Sequence, residues 1–217
     1  RDSEMTAASD PQFQGVYGPY TITAVDRQEV KEYRISLLIS GLALTAGLAQ
    51  WWLLGGNWAW IWLFPLGGAM GLALQRIHIY LKPLHQMLQV FWLLGCLGWI
   101  TVMVVNGPEQ TLNQIAEQPL WILAIGPLFA ALAGIGFKEF FCFQRVEAIG
   151  LTLLLPLALL GRLLQWIDER ICLGLLLMAS TLLVILALRK FGNEAAADVG
   201  DKSVFAYLDG QVSADTP

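Results

Sequence analysis

Charged side chains are scarce in this sequence. Asp, Glu, Lys and Arg make up 14% of its 217 residues, whereas a soluble domain carries about a quarter. The chain has no basic tract and a formal net charge of -4, which argues against binding to nucleic acid. Histidine occurs only twice, and the three cysteines lack the spacing of a metal or redox site. We therefore predict no metal centre and interpret the cysteines as small packing residues.

Hydrophobic residues make up 56% of the chain, and they are concentrated in six apolar runs. The runs cover residues 35–54, 58–75, 84–105, 120–137, 148–164 and 171–188. Each is about 17–22 residues long, which is enough for a helix to cross a hydrocarbon core of about 30 Å. Because every backbone polar group in lipid needs an internal partner, such a run can only be a helix. The sequence predicts an all-α membrane protein with six transmembrane helices arranged as three hairpins.

Positive charges are distributed unevenly between these runs. Of the 13 Lys and Arg residues, 11 fall in the N-terminal segment, the second and fourth connections and the C-terminal tail. The other two, Arg162 and Arg170, fall in the fifth connection. Lys and Arg collect on the cytoplasmic side of membrane proteins, so we predict that both termini lie in the cytoplasm or its topological equivalent. On the opposite side, residues 109–118 are read either as a short interfacial helix or as a polar loop.

The chain divides into four predicted segments. These are a polar N-terminal tail (1–15), an ordered cytoplasmic arm (16–34), a six-helix transmembrane domain (35–190) and an acidic C-terminal tail (191–217). Asp26 followed by Glu29 resembles a capping box, which predicts that the first helix begins at Asp26. Residues 192–200 read as a linker. The apolar patch 204–208 either docks on a partner or on the protein's own cytoplasmic face, or most of the tail is disordered.

Small residues are regularly spaced in two of the runs. Gly67 and Gly71 form a GxxxG pair in the second run, and Gly126, Ala130 and Gly134 form a longer row in the fourth. Small residues at this spacing let helices approach closely in lipid. The two runs therefore suggest either a weak internal repeat or a chance coincidence of a common pattern.

Polar residues that could form a functional site are concentrated in the second and fourth connections. We call these the inner connections, because the charge distribution places them on the cytoplasmic side. The candidate cytoplasmic-face cluster consists of Arg76, His78, Lys138, Glu139, Arg145 and Glu147. Basic residues interleaved with aromatic ones suit the headgroup layer, so interfacial anchoring is the simpler interpretation. The functional interpretation is one shared site, in which these residues form an ion-pair network or bind an anionic group.

The six runs have no ionisable residue at their centres. An intramembrane charge usually marks an ion or substrate path, so its lack argues against an ion-coupled transporter and an intramembrane protease. No catalytic residue is assigned. His78 and His85 are candidate axial ligands for chlorophyll or haem, with solitary interfacial histidines as the alternative. Chlorophyll and carotenoid are the candidate cofactors.

Several of these segments resemble a known family. Residues 20–23 (YTIT), 26–27 (DR) and 33–34 (YR) are similar to the N-terminal signature of an uncharacterised integral membrane protein family of cyanobacteria and plant plastids. Residues 75–80 (QRIHIY), with 136–143 (GFKEFFCF) and 145–148 (RVEA), resemble its two inner connections. The resemblance covers about residues 16–190. It implies a location, the thylakoid or plasma membrane of a photosynthetic cell, rather than a mechanism.

Three functions are considered on this basis. The first is a non-enzymatic membrane protein that accompanies a photosynthetic complex as accessory subunit or assembly factor, with other membrane proteins of that complex as partners. The second is a small transporter or channel, suggested by the Gly- and Pro-bearing runs. The third is a lipid- or isoprenoid-modifying enzyme using residues 138–147, which the lack of a paired-Asp phosphate motif weakens.

Overall fold

The computed structural model describes residues 10–208 and 210, and helices dominate this part of the chain. The helices are α1 (Ala24–Leu54), α2 (Leu63–Arg76), α3 (Lys82–Asn106), α4 (Thr111–Glu117), α5 (Ile122–Phe143), α6 (Val146–Leu163), α7 (Glu169–Lys190), α8 (Ala195–Val199) and α9 (Lys202–Leu208). Two short strands, β1 (Gln12–Gly15) and β2 (Gly18–Thr21), precede them and pair antiparallel, with Gln12 opposite Thr21.

Five described helices are long and apolar enough to cross a membrane: α1, α3, α5, α6 and α7. This confirms the prediction of a helical membrane protein. The second predicted run, 58–75, folds as the 3-10 turn Ala59–Trp62 followed by α2, which has 14 residues. Such a helix rises about 21 Å, less than a hydrocarbon core of about 30 Å. The sixth crossing and the arrangement in hairpins therefore stay predictions.

The bundle has two chemically different ends. At the polar end lie the β-hairpin, α8, α9 and the connections 77–81 and 144–145. The connections 55–62, 107–121 and 164–168 form the tryptophan end, and α4 lies there as the short helix that was one of two readings of residues 109–118. Seven of the nine tryptophans belong to this end or the helix turns beside it. Between the two ends lies an apolar core with fully buried Leu37, Met70, Leu132, Leu151 and Leu183.

Glycines set the closest helix contacts. A Cβ added at Gly95 or Gly98 of α3 would overlap the backbone of α5 at Leu128 or Ala124. The predicted small-residue faces also meet α3, since Gly71 faces Trp92, whose Nε1 donates to the Gly67 carbonyl at 2.8 Å. The tightest approach is thus made by two glycines that the sequence pattern did not single out.

The first helix begins at Ala24, two residues before the predicted start. Its capping box is formed by Thr23 and Asp26, not by Asp26 and Glu29. The Asp26 amide donates to Thr23 Oγ1 at 3.2 Å, and the Thr23 amide donates to Asp26 Oδ2 at 2.7 Å. Because Asp26 fills the third helical position, its carboxylate reaches back to the cap instead of serving as one.

The C-terminal segment is folded against the bundle as far as Leu208. The predicted linker 192–200 contains α8, in which Asp198 and Val199 are buried. The rings of Tyr17 and Tyr207 stack at 4.0 Å, and Phe205 stacks on Tyr80 at 4.5 Å. The apolar patch 204–208 thus docks on the protein's own polar end. Residues 1–9 of the predicted N-terminal tail and residues 209 and 211–217 lie outside the described part of the chain.

Candidate functional site

The candidate site is a buried set of ion pairs at the polar end. Glu139, near the end of α5, has no exposed surface. Its Oε1 accepts hydrogen bonds from the Tyr33 hydroxyl at 2.6 Å and from Lys138 Nζ at 3.3 Å. Its Oε2 accepts from Lys190 Nζ, at the end of α7, at 2.6 Å. One carboxylate therefore joins α1, α5 and α7.

Asp198 extends these ion pairs to the C-terminal segment. Its carboxylate accepts from Lys190 Nζ and, at 2.7 Å, from Arg34 Nε. The Nη atoms of Arg34 donate to the carbonyls of Asn193 and Glu194 at 3.0 and 3.1 Å. Arg34 on α1 thus holds the backbone that leads into α8. We call Tyr33, Arg34, Lys138, Glu139, Lys190 and Asp198 the buried network.

The buried network contains three cations and two carboxylates, so its formal charge is positive by one. Aromatic rings stabilise the excess: Lys190 Nζ lies 4.2 Å from the centroid of the Phe143 ring and 5.4 Å from that of Tyr33. Removing one partner from a buried ion pair leaves an uncompensated charge, which costs about 3–5 kcal/mol. Since its charged groups bind one another, the network is suited to holding segments in place.

The six predicted site residues fall into separate sets of contacts. Lys138 and Glu139 belong to the buried network. Arg145 Nη2 donates to Asn193 Oδ1 at 3.2 Å, and Glu147 Oε1 lies 2.6 Å from Arg189 Nη1. These contacts place residues of the fourth connection beside the end of α7 and the chain that follows it.

Arg76 and His78 instead contact α1. Arg76 pairs with Glu29 at 3.1 Å and Glu32 at 2.7 Å, and His78 Nε2 lies 3.8 Å from Glu29 Oε2. Burial lowers the pKa of His78, and the charge of Lys138 lowers it further, although Glu29 acts in the opposite sense. The single shared cluster stays a prediction.

Four members of the buried network were absent from the sequence-based set: Tyr33, Arg34, Lys190 and Asp198. Tyr33 and Arg34 did belong to the N-terminal family signature, and Lys190 directly follows the last apolar run. These features of the sequence could have suggested Tyr33, Arg34 and Lys190 as site residues. Asp198 carries no such signal, because its surroundings in the sequence are small and polar.

The two histidines were also candidate pigment ligands. His78 lies with Asp26 and Glu29 so that their ligand atoms are within 4.8 Å of one another. Both carboxylates already face cations of the chain, since Lys202 Nζ lies 2.9 Å from Asp26 and Arg76 pairs with Glu29. We therefore read this group as ion pairs rather than as a metal site.

His85 has a local structural contact. Its Nε2 lies 2.5 Å from the Leu74 carbonyl, near the C-terminus of α2. When protonated, this nitrogen donates to a carbonyl that the end of the helix leaves free. It is thereby engaged and not open to a pigment in this conformation.

Comparison with known proteins gives one match. No curated protein and no solved structure is detectably similar to the chain. A family model, described as uncharacterized integral membrane protein (DUF2301), matches residues 72–207, which is more than half of the chain. The matched region runs from within α2 into α9 and contains Lys138, Glu139, Lys190 and Asp198. The chain therefore belongs to this family of integral membrane proteins.

Proposed function

We propose that this protein is a non-enzymatic membrane subunit whose polar end is a fixed docking platform for other membrane proteins. It would act as an accessory subunit or assembly factor of a larger complex. The observation that carries the proposal is the buried network, which ties α8 to α1 and α7 through Asp198. The β-hairpin is in turn joined to α9 by the stacked rings of Tyr17 and Tyr207, and to Asp201, between α8 and α9, by the Val16 amide.

Energetics favour a role in positioning. A buried ion pair adds less stability than apolar packing of the same volume, but it can specify one geometry. Here it specifies where two segments outside the apolar core are held. The platform also presents apolar side chains outward: Val16 at the hairpin tip is 78% exposed, and Val25 is 66% exposed. Exposed apolar groups outside the lipid suit a contact with another protein.

A transporter or channel is the weaker alternative. An ion path needs polar groups at mid-depth. In the described residues, the buried charges gather at the polar end, and the midsection is lined by Leu, Ile, Ala and Met. We therefore rank docking above transport.

The resemblance to a family of cyanobacteria and plastids makes a thylakoid or plasma membrane the proposed location. Photosystem and pigment-biosynthesis subunits are accordingly the first partners to look for. Bound chlorophyll or carotenoid would be detected in the same preparation by its absorbance.

The proposed topology has six crossings with both termini on the cytoplasmic or stromal side. The second crossing would consist of the 3-10 turn together with α2, residues 59–76, as its apolar composition supports. In a cysteine-free background, Lys31→Cys should react with an impermeant thiol reagent only from the cytoplasmic side. Asn57→Cys should react only from the other side. Labelling of both from one side would contradict the proposal.

Purification tests the docking function directly. A tagged wild-type protein, extracted in mild detergent, should bring down membrane partners that mass spectrometry identifies. Val16→Arg should lose them without lowering the melting temperature, because the side chain is exposed. Gln28→Arg adds the same charge to an exposed polar position of α1 and is the matched control. Recovery of the wild-type protein alone, or equal recovery with Val16→Arg, would refute the platform.

A further inference from the structure

The outer edge of strand β1 carries backbone groups that point away from the hairpin. The Ile22 amide donates to the Pro11 carbonyl at 3.3 Å, which makes these two residues a hydrogen-bonded pair. Hydrogen-bonded and non-bonded pairs alternate along antiparallel strands, so Gln12 and Gln14 belong to non-bonded pairs. Their N–H and C=O groups therefore face outward, with a repeat of about 6.8 Å along the edge.

This edge is open in the part of the chain that the structure describes. The outward backbone groups of Gln12 and Gln14 have no hydrogen-bond partner there, and both residues are exposed. A Cβ added at Gly15 would meet the side chains of Asp201 and Ser203. Because a Cβ projects from the face of a strand, the C-terminal segment covers a face of the hairpin at its tip and not the outer edge of β1.

The two edges of the hairpin differ in how they are protected. Edge strands usually avoid unwanted pairing through charged side chains, proline or bulges. On β2, Pro19 has no N–H to offer to a further strand. On β1, the sequence QFQG has neither a charge nor a proline, and its register with β2 is continuous. The edge of β1 is therefore the one that can accept another strand.

The side chains of β1 define what a neighbouring strand must carry. Phe13 stacks on Tyr20 at 5.6 Å and packs, half-buried, beside the buried side chains of Val30 and Val199. A residue placed next to Phe13 on this face would cover the rest of its ring and so should be apolar. Its neighbours on the other face would lie beside the glutamines, where uncharged polar side chains fit.

We propose that the outer edge of β1 accepts an extended segment of a partner membrane protein as a third strand. This inference rests on the proposed docking platform and states how the platform holds its partner. The segment would have an apolar residue between uncharged polar ones, and its backbone would pair with Gln12 and Gln14. A partner helix cannot make this contact, because its backbone groups are bonded internally. The exposed side chain of Val16 extends the same surface beyond the end of the strand.

Photocrosslinking identifies the segment. Gln12 or Gln14 is replaced by p-benzoylphenylalanine in the tagged full-length protein, which is irradiated in its native membrane, and mass spectrometry locates the crosslinked residues of the partner. The two positions should mark residues about two apart in one segment, as in a strand. Marks three or four residues apart would indicate a helix and overturn the proposal. Crosslinks to a second copy of this chain alone would overturn the partner.

Proline substitution tests the backbone contact. Gln14→Pro removes an outward N–H that the described hairpin does not use, so it should lower partner recovery at least about tenfold. Gln14→Ala keeps that N–H and is the matched control, which should retain the partner. The Tyr20 amide lies inside the ladder, and its slow hydrogen exchange shows that a variant keeps its hairpin. Gln12→Pro is the second variant if Gln14→Pro loses that protection.

The outcomes separate the strand from the platform. If Val16→Arg loses the partner while both proline variants retain it, strand addition is wrong and the platform stands. Equal loss with Gln14→Ala and Gln14→Pro would mean that the side chain is recognised, which also overturns the strand. In the purified protein alone, the Gln12 and Gln14 amides should exchange fast. Slow exchange of both would show that the chain fills this edge itself, and the proposal would fail.

Discussion

The two ends of the bundle differ in how their buried polar groups are paired. At the polar end, charged groups are buried and bound to one another: Glu139 accepts from three donors, and Asp198 from two. At the tryptophan end, a cavity remains, and the donors of Trp99 and Arg162 have no acceptor in the described chain. One end is completed by the protein's own terminal segments.

This contrast predicts that substitutions at the two ends have different effects. Removing one partner of a buried ion pair lowers the free energy of unfolding substantially. A substitution beside the cavity should lower it less, because the donors there have no partner to lose. Substitutions at the polar end should therefore change stability. Comparable substitutions at the tryptophan end should change stability less.

The largest effect is expected from Glu139→Gln. The variant keeps the size of the side chain but removes the carboxylate that Lys138 faces and one of the two that Lys190 faces, which should cost about 3–5 kcal/mol of unfolding free energy. Thermal unfolding in a fixed detergent measures it. Glu117→Gln, at an exposed position of the tryptophan end, should cost close to nothing. Equal melting temperatures for the two variants would show that the buried network does not hold the bundle together.

Gly98→Ala tests the apolar middle that joins the two ends. Its Cβ would overlap the Ala124 carbonyl, so α3 and α5 must separate, at a cost of about 1–3 kcal/mol. Gly68→Ala in α2 is the matched control, since an added Cβ there meets no atom within 4 Å. It should be neutral or slightly stabilising, because alanine is the better helix former. If Gly98→Ala melts at the same temperature as Gly68→Ala, α3 and α5 are not as closely packed in solution as the structure shows.

The sequence predicted more about the apolar middle than about either end. Long apolar runs can only be helices in lipid, so the five long helices were evident from composition alone. Lys138 and Glu139 were found because charge is rare beside such runs. Their partners Tyr33, Lys190 and Asp198 are distant in sequence, and no local pattern connects them. Asp198 in particular lies in a five-residue helix within a stretch that reads as a linker.

For the tryptophan end, the sequence predicted only that it lies at the membrane–water interface. Tryptophans at helix ends indicate the headgroup layer, but the cavity depends on how seven helices pack, which no single run reveals. The same holds for Gly95 and Gly98, whose spacing does not match the usual small-residue pattern. Close contacts between helices are properties of pairs, and a single sequence shows each helix alone.

A smaller effect is expected where α9 docks on the β-hairpin. Tyr207→Ala removes the ring that stacks on Tyr17 at 4.0 Å, a contact worth about 0.5–1.5 kcal/mol. Hydrogen exchange should become faster in residues 12–21 and 202–208, while α1 to α7 keep their protection. Leu208→Ala, at a half-exposed position of the same helix, should change exchange far less. Faster exchange throughout the bundle would mean that the platform and the bundle unfold as one unit.

The smallest effect concerns pH and Asp201, between α8 and α9. Its carboxylate accepts from the Val16 amide at 2.8 Å and from the Ser203 hydroxyl and amide at 2.6 and 2.9 Å. Burial alone would raise the pKa of Asp201, but the hydrogen bonds from Ser203 and Val16 outweigh it and lower the pKa from its usual value of 3.8. The stabilisation is therefore complete above that value and is lost as the pH falls through the lower pKa of the folded state.

Acidification below pH 3.8 should accordingly loosen the hairpin tip from α9 before it affects the tryptophan end. The exchange rate of the Val16 amide, corrected for the intrinsic pH dependence, reports this loss directly. Asp201→Asn should weaken the contact at neutral pH and remove its pH dependence, because an amide does not titrate in this range. If the wild-type amide is equally protected on both sides of the folded pKa, the carboxylate does not hold the hairpin. The fixed geometry of the platform would then rest on its other contacts, including the tyrosine stack and the ion pairs of Asp198.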